Sequence, residues 1–130
     1  MKEFIIIIII LIIIIGGAIY IQKYLDRTSG ELISDLNDLK KMMLETKQTD
    51  DRENIKQKVN DIYNKWEEIE KGWSIIVLHS ELDLIETSFI KMKSGIEEGE
   101  INRGLEELET SIFLIDHISQ KEKFCLKNIF

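Results

Sequence analysis

The sequence predicts an all-α protein: an N-terminal transmembrane helix followed by a small antiparallel helical bundle of about four helices. Three observations predict it. Ten of the eleven residues from Ile5 to Ile15 are isoleucine, the exception being Leu11, and no charged residue stands between Glu3 and Lys23. Proline is absent from all 130 residues. Beyond the isoleucine run, apolar residues recur at alternating steps of three and four, the spacing of one helix face.

The first element is the anchor. Phe4 to Ile21, at about 1.5 Å per residue, crosses roughly 27 Å of a hydrocarbon layer about 30 Å thick. Isoleucine is β-branched and a mediocre helix former in water. An unpaired amide in lipid costs several kcal/mol, however, so a lone apolar segment has only the helix open to it. At about −0.5 kcal/mol per central isoleucine, the segment favours the bilayer by roughly 5 kcal/mol. A cleaved signal would want a basic start, a shorter core and a small-x-small exit. Here Glu3 offsets Lys2, and Gly16-Gly17-Ala18 runs on into Ile19-Tyr20-Ile21. A lipoprotein signal would place a cysteine just after the apolar core, whereas the single cysteine is Cys125. Tyr20 and Tyr24 stand where an interfacial aromatic belt belongs, with Lys23 and Arg27 just outside. The positive-inside count barely separates the two orientations. The short arm ahead of a domain of about a hundred residues favours a single-pass signal-anchor with the domain outside the cytoplasm. One thiol forms no internal disulfide in either compartment, so Cys125 does not arbitrate. Residues 1–24 are read as the anchor with its flanks, in contact with the lipid bilayer through residues 4–21, and residues 25–130 as one acidic helical domain.

The chain carries 17 basic and 24 acidic side chains, a net charge of −7. Without Lys2, Glu3 and Lys23 the balance is 15 to 23, or −8. Such a surface repels phosphate backbones and anionic headgroups, so neither nucleic acid nor a second, electrostatic contact with lipid is expected.

Four stripes build the domain. Leu32, Leu36, Leu39 and Met43 form the first, broadened by Ile33 and Met42. Thr28-Ser29-Gly30-Glu31 reads either as a capping box at its start or as a soft point in a helix continuous with the anchor. The polar run Thr46 to Asp51 breaks the pattern, and Asp50 with Glu53 offers a cap to the next helix. Ile55, Val59, Ile62, Trp66, Ile69, Trp73 and Ile76 then hold a strict four-three alternation. A third stripe, Leu78, Leu82, Ile85, Phe89, Met92 and Ile96, resumes about 200° around the helix from the second. A bend within Ser74 to Ser80 brings both stripes to one core. Ile75-Ile76-Val77-Leu78 suits a buried corner, and Ser80-Glu81-Leu82-Asp83 reads as the capping box that restarts the chain. Gly95 and Gly99 bracket the next exit. The last stripe is Ile101, Leu105, Leu108, Ile112, Ile115 and Ile118, ending in a tail, Phe124 to Phe130, apolar enough to dock on the bundle. The phase slip favours internal packing of the second stripe over a coiled-coil dimer seam.

Reactive constellations are sparse. His79 and Asp83 stand at i and i+4 with Glu86 a turn further, and His117 lies beside Asp116, a set that would suit zinc or iron if it converged. The Glu-x-x-His pairs of di-iron bundles are missing, since Ile76 and Leu114 occupy the positions three before each histidine. The plainer reading puts His79 at a helix boundary and His117 at a bundle edge. Trp66 and Trp73 are read as core residues whose indole donors find partners, with an aromatic ligand cage as the sharper reading. Glu97, Glu98, Glu100, Glu106, Glu107 and Glu109 read as a solvated face; a calcium site or a patch for a basic partner is the sharper reading, though EF-hand spacing is absent. No nucleophile elbow, phosphate-binding glycine loop or Cys-x-x-Cys pair occurs. Cys125 reads as a small tail hydrophobe or a thiol able to cross-link two copies.

The apolar N-terminus, Trp66 and Trp73, His79-Ser80-Glu81-Leu82-Asp83, Leu105-Glu106-Glu107-Leu108-Glu109, His117-Ile118 and Lys127-Asn128-Ile129-Phe130 together resemble a family of small membrane-anchored helical proteins from Gram-positive, largely clostridial bacteria, domain of unknown function 4363. The resemblance implies a shared corner around His79 and a shared Asn128-Ile129-Phe130 end; it carries over no activity or catalytic residue. Gly99-Glu100 departs from the aspartate-type cap more usual there, which weakens the start of the last helix. The expectation is a non-enzymatic membrane protein presenting its bundle to another envelope protein or to itself. The alternative is a metal- or small-ligand-binding sensor domain using His79, Asp83 and His117.

Overall fold

The structure, a computed structural model, describes residues 1–45 and 51–129. It consists of α1 (Lys2–Glu45), α2 (Asp51–Trp73), α3 (His79–Glu97) and α4 (Ile101–Ile129). The expected polar break, apart from Asp51, which begins α2, and the Asp50 cap fall on residues 46–50, and the chain end on Phe130, outside the described residues.

α1 is 44 residues long, about 66 Å at 1.5 Å per residue. Its first half is apolar and almost wholly uncovered: 6% of the most hydropathic stretch is buried by the rest of the chain. By length and composition it is able to cross a membrane. From Leu25 onward the same helix enters the core, burying Leu25, Leu32, Leu36, Leu39 and Met43. Of the two readings of Thr28-Ser29-Gly30-Glu31, the continuous helix is the one found. The hydroxyls point back along their own helix, Thr28 Oγ1 to Tyr24 O at 2.7 Å and Ser29 Oγ to Asp26 O at 3.3 Å, instead of capping a new one.

The bundle is a ring of four antiparallel neighbours. Trp73 of α2 meets Thr28 of α1, and Lys65 meets Asp35 further along. Trp66 of α2 meets Glu86 of α3. Arg103 at the start of α4 meets Ser94 near the end of α3, while Lys121 near the other end of α4 meets Glu81. Ser119 of α4 hydrogen-bonds Ser29 of α1, and Lys40 and Glu109 pair farther out, closing the ring. Consequently the α2–α3 turn lies at the end nearer the isoleucine rod and the α3–α4 turn at the far end. The second stripe is buried inside this ring from Ile55 to Trp73, so its face is spent within the chain and is not offered as a seam to a second copy.

The far turn is a glycine-closed helix end. Gly99 has φ +79°, Glu100 N–H donates to Gly95 O at 2.8 Å and Gly99 N–H to Ile96 O at 3.2 Å, the paired bonds of a Schellman motif. Beside it α3 and α4 touch backbone to backbone: a Cβ on Gly95 would lie 3.0 Å from Gly104 N. Arg103 bonds Glu98 at 3.0 Å and Glu100 at 2.9 Å, tying the expected weak start of α4 to the turn.

The bend at Ser74 to Ser80 is present, but the sequence-based expectation for its surroundings needs correction. α3 begins at His79 with Leu78 as its N-cap and no side-chain cap bond, so Ser80 lies inside the first turn and does not cap. The corner is buried on one side only: Val77 is buried and Ile76 half-buried, whereas Ile75 is 87% and Leu78 65% exposed. A five-residue turn points some of its side chains away from a core it merely caps. The tail is likewise not a separate docking segment. It continues α4 to Ile129 with Leu126 half-buried, Phe124 64% exposed and Cys125 exposed.

Trp73→Ala is expected to destabilise the bundle by about 3–5 kcal/mol, because its fully buried ring leaves a cavity. Chemical denaturation of the full chain in detergent micelles, followed by circular dichroism, measures this; a loss below about 1 kcal/mol would mean the indole does not fill the core. In the same assay Gly95→Ala is expected to cost about 1–3 kcal/mol by forcing α3 off α4. Gly30→Ala, with nothing within 4 Å of its added methyl, is expected to gain about 0.4–1 kcal/mol. Equal effects at the two glycines would refute the close approach.

Candidate functional site

The polar groups that reach inward form tethers between helices. Glu86, half-buried on α3, accepts hydrogen bonds from two donors on α2: Trp66 Nε1 at 2.7 Å and the Tyr63 hydroxyl. Tyr63 and Trp66 are three residues apart, so both project from one face of α2 toward the same turn of α3. Lys93 lies over the Tyr63 ring at 5.5 Å. The bond to Glu86, then burial, then the charge of Glu86 push the Tyr63 hydroxyl up to about 12. Beside this pair Trp66 stacks on Phe89 at 5.6 Å and meets Trp73 edge-on at 5.9 Å. The Trp73 indole donates to Thr28 Oγ1 at 2.9 Å. Both tryptophans are fully enclosed by protein and both donors are satisfied, so they form no aromatic cage open to a ligand.

The residues singled out for metal binding lie elsewhere. His79, Asp83, Asp116 and His117 are all exposed, and His117 stacks on Phe113 at 5.5 Å. Glu86, the next acid along α3, is engaged by Tyr63 and Trp66. Among the described residues no group of three or more histidine, cysteine, aspartate or glutamate side chains is placed to hold a metal ion.

The acidic residues are arranged by height. Glu97, Glu98, Glu100, Glu106 and Glu109 are exposed at and near the far turn, while Glu107 is half-buried and accepts from Ser88 at 3.4 Å. Nearer the isoleucine rod, burial and then repulsion from Glu86, Asp83 and Glu67 push the Glu70 carboxyl up, and burial does the same to Glu122. Where α1 enters the bundle the surface turns apolar. Tyr20, Ile21, Tyr24, Gly72, Ile75 and Ile76 line an open groove of about 300 Å³. The Tyr24 ring lies against Gly72, where any Cβ would collide with its hydroxyl.

Periodicity identified both tryptophans but not their partners. Tyr63 and Glu86 sit beside the stripes and not in them, so the three-four spacing assigns them to the surface. Thr28, Ser29 and Ser119 are all buried; the local pattern marks Thr28 and Ser29 as a cap or soft point, and nothing in it points to Trp73 and Ser119 as their partners.

Glu86→Ala is expected to cost about 1–3 kcal/mol by leaving the Trp66 donor unpaired. It should also lower the titration of one tyrosine from about 12 toward its ordinary value, which tyrosinate absorbance follows. Because the folded protein holds that proton more tightly, the tether's contribution is complete below about pH 10 and is lost as the pH rises toward 12. Thermal melts across that range check the sign.

Comparison with known proteins adds one finding to this geometry. The family model for Domain of unknown function (DUF4363) matches residues 19–129, and the chain belongs to that family. No curated protein and no solved structure matches it.

Proposed function

We propose that this member of the DUF4363 family is a single-pass membrane protein: residues 4–21 of α1 cross the bilayer, and the rest of the chain is a non-enzymatic bundle that binds another protein at the membrane surface. The observation that carries this reading is the uncovered isoleucine rod. The other three helices bury the second half of α1 and leave the first half exposed, although it is the most apolar part of the chain. In water such a surface would drive aggregation; lipid tails are the solvent that suits it.

The bundle supports a binding role over a catalytic one. Three of its half-buried carboxylates are engaged by neighbouring helices: Glu86 by Tyr63 and Trp66, one oxygen of Glu81 by Lys121, and Asp35 by Lys65 and Lys58. The exposed acidic end offers a partner Glu97 and Glu106, beside Glu98 and Glu100 already paired with Arg103, and suits a basic protein face. We place the bundle outside the cytoplasm.

Alkaline carbonate washing of cell envelopes is expected to leave the full chain in the membrane pellet; release into the wash would overturn the anchor. Exposed Cys125 reports sidedness. An impermeant thiol reagent is expected to label it in intact cells, whereas labelling only after lysis would put the bundle in the cytoplasm.

A further inference from the structure

We propose that the α2–α3 turn is a membrane-contact element: Ile75 and Leu78 insert into the interfacial layer of the bilayer beside the anchor, seating the bundle on the lipid instead of leaving it suspended from a stalk. This rests on the anchor reading above and adds a second, apolar point of attachment.

The height of the turn places it there. It is tied to the end of the proposed span by the groove the two share, whose walls are Tyr20, Ile21 and Tyr24 on one side and Gly72, Ile75 and Ile76 on the other. α1 runs unbroken from the isoleucine rod into the bundle, so with residues 4–21 in lipid the turn lies at the level where the chain leaves it. The Tyr24 ring against Gly72 fixes α2 there.

The chemistry of the turn agrees. Ile75 is 87% and Leu78 65% exposed, and Phe124 of α4, one residue beyond the Lys123–Asp26 pair, is 64% exposed at the same end. The two turns of the bundle contrast accordingly. The far turn carries Glu97, Glu98 and Glu100, whereas Ile75 to Leu78 carries no charge or polar side chain. Lys23 and Arg27 stand just above, where long basic side chains reach back to headgroups.

Leu78 adds an independent observation. It is the N-cap of α3, with φ −62°, ψ 137° and no side-chain bond to the helix. In water serine, aspartate or asparagine serves that position far better than leucine. An exposed leucine there, close to an exposed isoleucine, fits an apolar surrounding. The contact is hydrophobic and independent of headgroup charge, in keeping with the acidic surface, and its occupant is the lipid surface itself.

The test uses the full chain reconstituted into phosphatidylcholine vesicles that contain an acyl-chain nitroxide lipid. In a Cys125→Ser background, a fluorophore is attached in turn through Ile10→Cys, Ile75→Cys, Leu78→Cys and, at the far end, Asn102→Cys. Quenching at residues 10, 75 and 78 is expected to exceed that at residue 102 severalfold. It should persist at about 1 M salt, which screens charges beyond about 3 Å, and after part of the lipid is replaced by phosphatidylglycerol. Quenching at residue 10 with residues 75 and 78 no different from residue 102 would overturn the contact and leave the anchor standing, as would burial of the turn against a second copy. No quenching at residue 10 would overturn both. Loss of the signal in salt would refute an apolar contact. Ile75→Asp, read from the label at residue 78, is expected to lower quenching severalfold while helical circular dichroism in micelles is unchanged; unaltered quenching would remove Ile75 from the contact.

Discussion

One helix carries two kinds of surface, an uncovered apolar rod and a face buried in the bundle, and its continuity through Gln22 to Gly30 sets the position of everything else. Had the chain bent at Thr28-Ser29-Gly30, the isoleucine rod and the bundle would be separate bodies joined by a hinge. Instead the hydroxyls of Thr28 and Ser29 bond back to Tyr24 and Asp26 on the same helix, and they are also held from outside by Trp73 and Ser119. The segment most apt to break is therefore gripped by α2 and α4. On the proposed reading, the bundle inherits its height above the membrane from α1 with no hinge to adjust it.

The same logic explains where polar groups are allowed inside. A ring of four antiparallel helices with apolar stripes fixes neither the rotation of each helix nor its slide along its neighbour, because apolar contact is non-directional. The hydrogen bonds supply direction: Trp73 to Thr28 sets α2 against α1, Trp66 and Tyr63 to Glu86 set α2 against α3, and Ser119 to Ser29 sets α4 against α1. Between α3 and α4 the backbone contact at Gly95 and Gly104 fixes the slide sterically. Small residues there let two helices meet at a distance no larger side chain permits.

The stripes from Leu32 to Met43 and from Ile55 to Trp73 were fully legible, since a three-four repeat with large apolar side chains has one stable solution in water. The bend after Trp73 was legible from phase alone. The exposure of half its apolar residues was not. Apolar residues at a corner look the same whether they face a core or another apolar medium, and Ile75 and Leu78 face outward. The Ser80 cap failed because the helix starts earlier than the pattern implies: the N-cap of α3 is Leu78, two residues before Ser80, which lies in the first turn. The candidate metal ligands His79, Asp83 and His117 illustrate the other limit. Spacing along a helix places His79 and Asp83 on one face, but whether that face looks inward depends on neighbouring helices, and it looks out.

By itself the sequence determined the helical class, the number of stripes, the apolar rod and the identity of most core residues. These depend on local periodicity and on the solvent each residue type tolerates. Only the tertiary structure decided that α1 is unbroken, that Glu86 belongs to Tyr63 and Trp66, that Gly95 meets Gly104, and that the uncharged turn and the end of the isoleucine rod share one groove. Each of these depends on the rotation and slide of one helix against another, which is set by contacts between residues far apart in the chain.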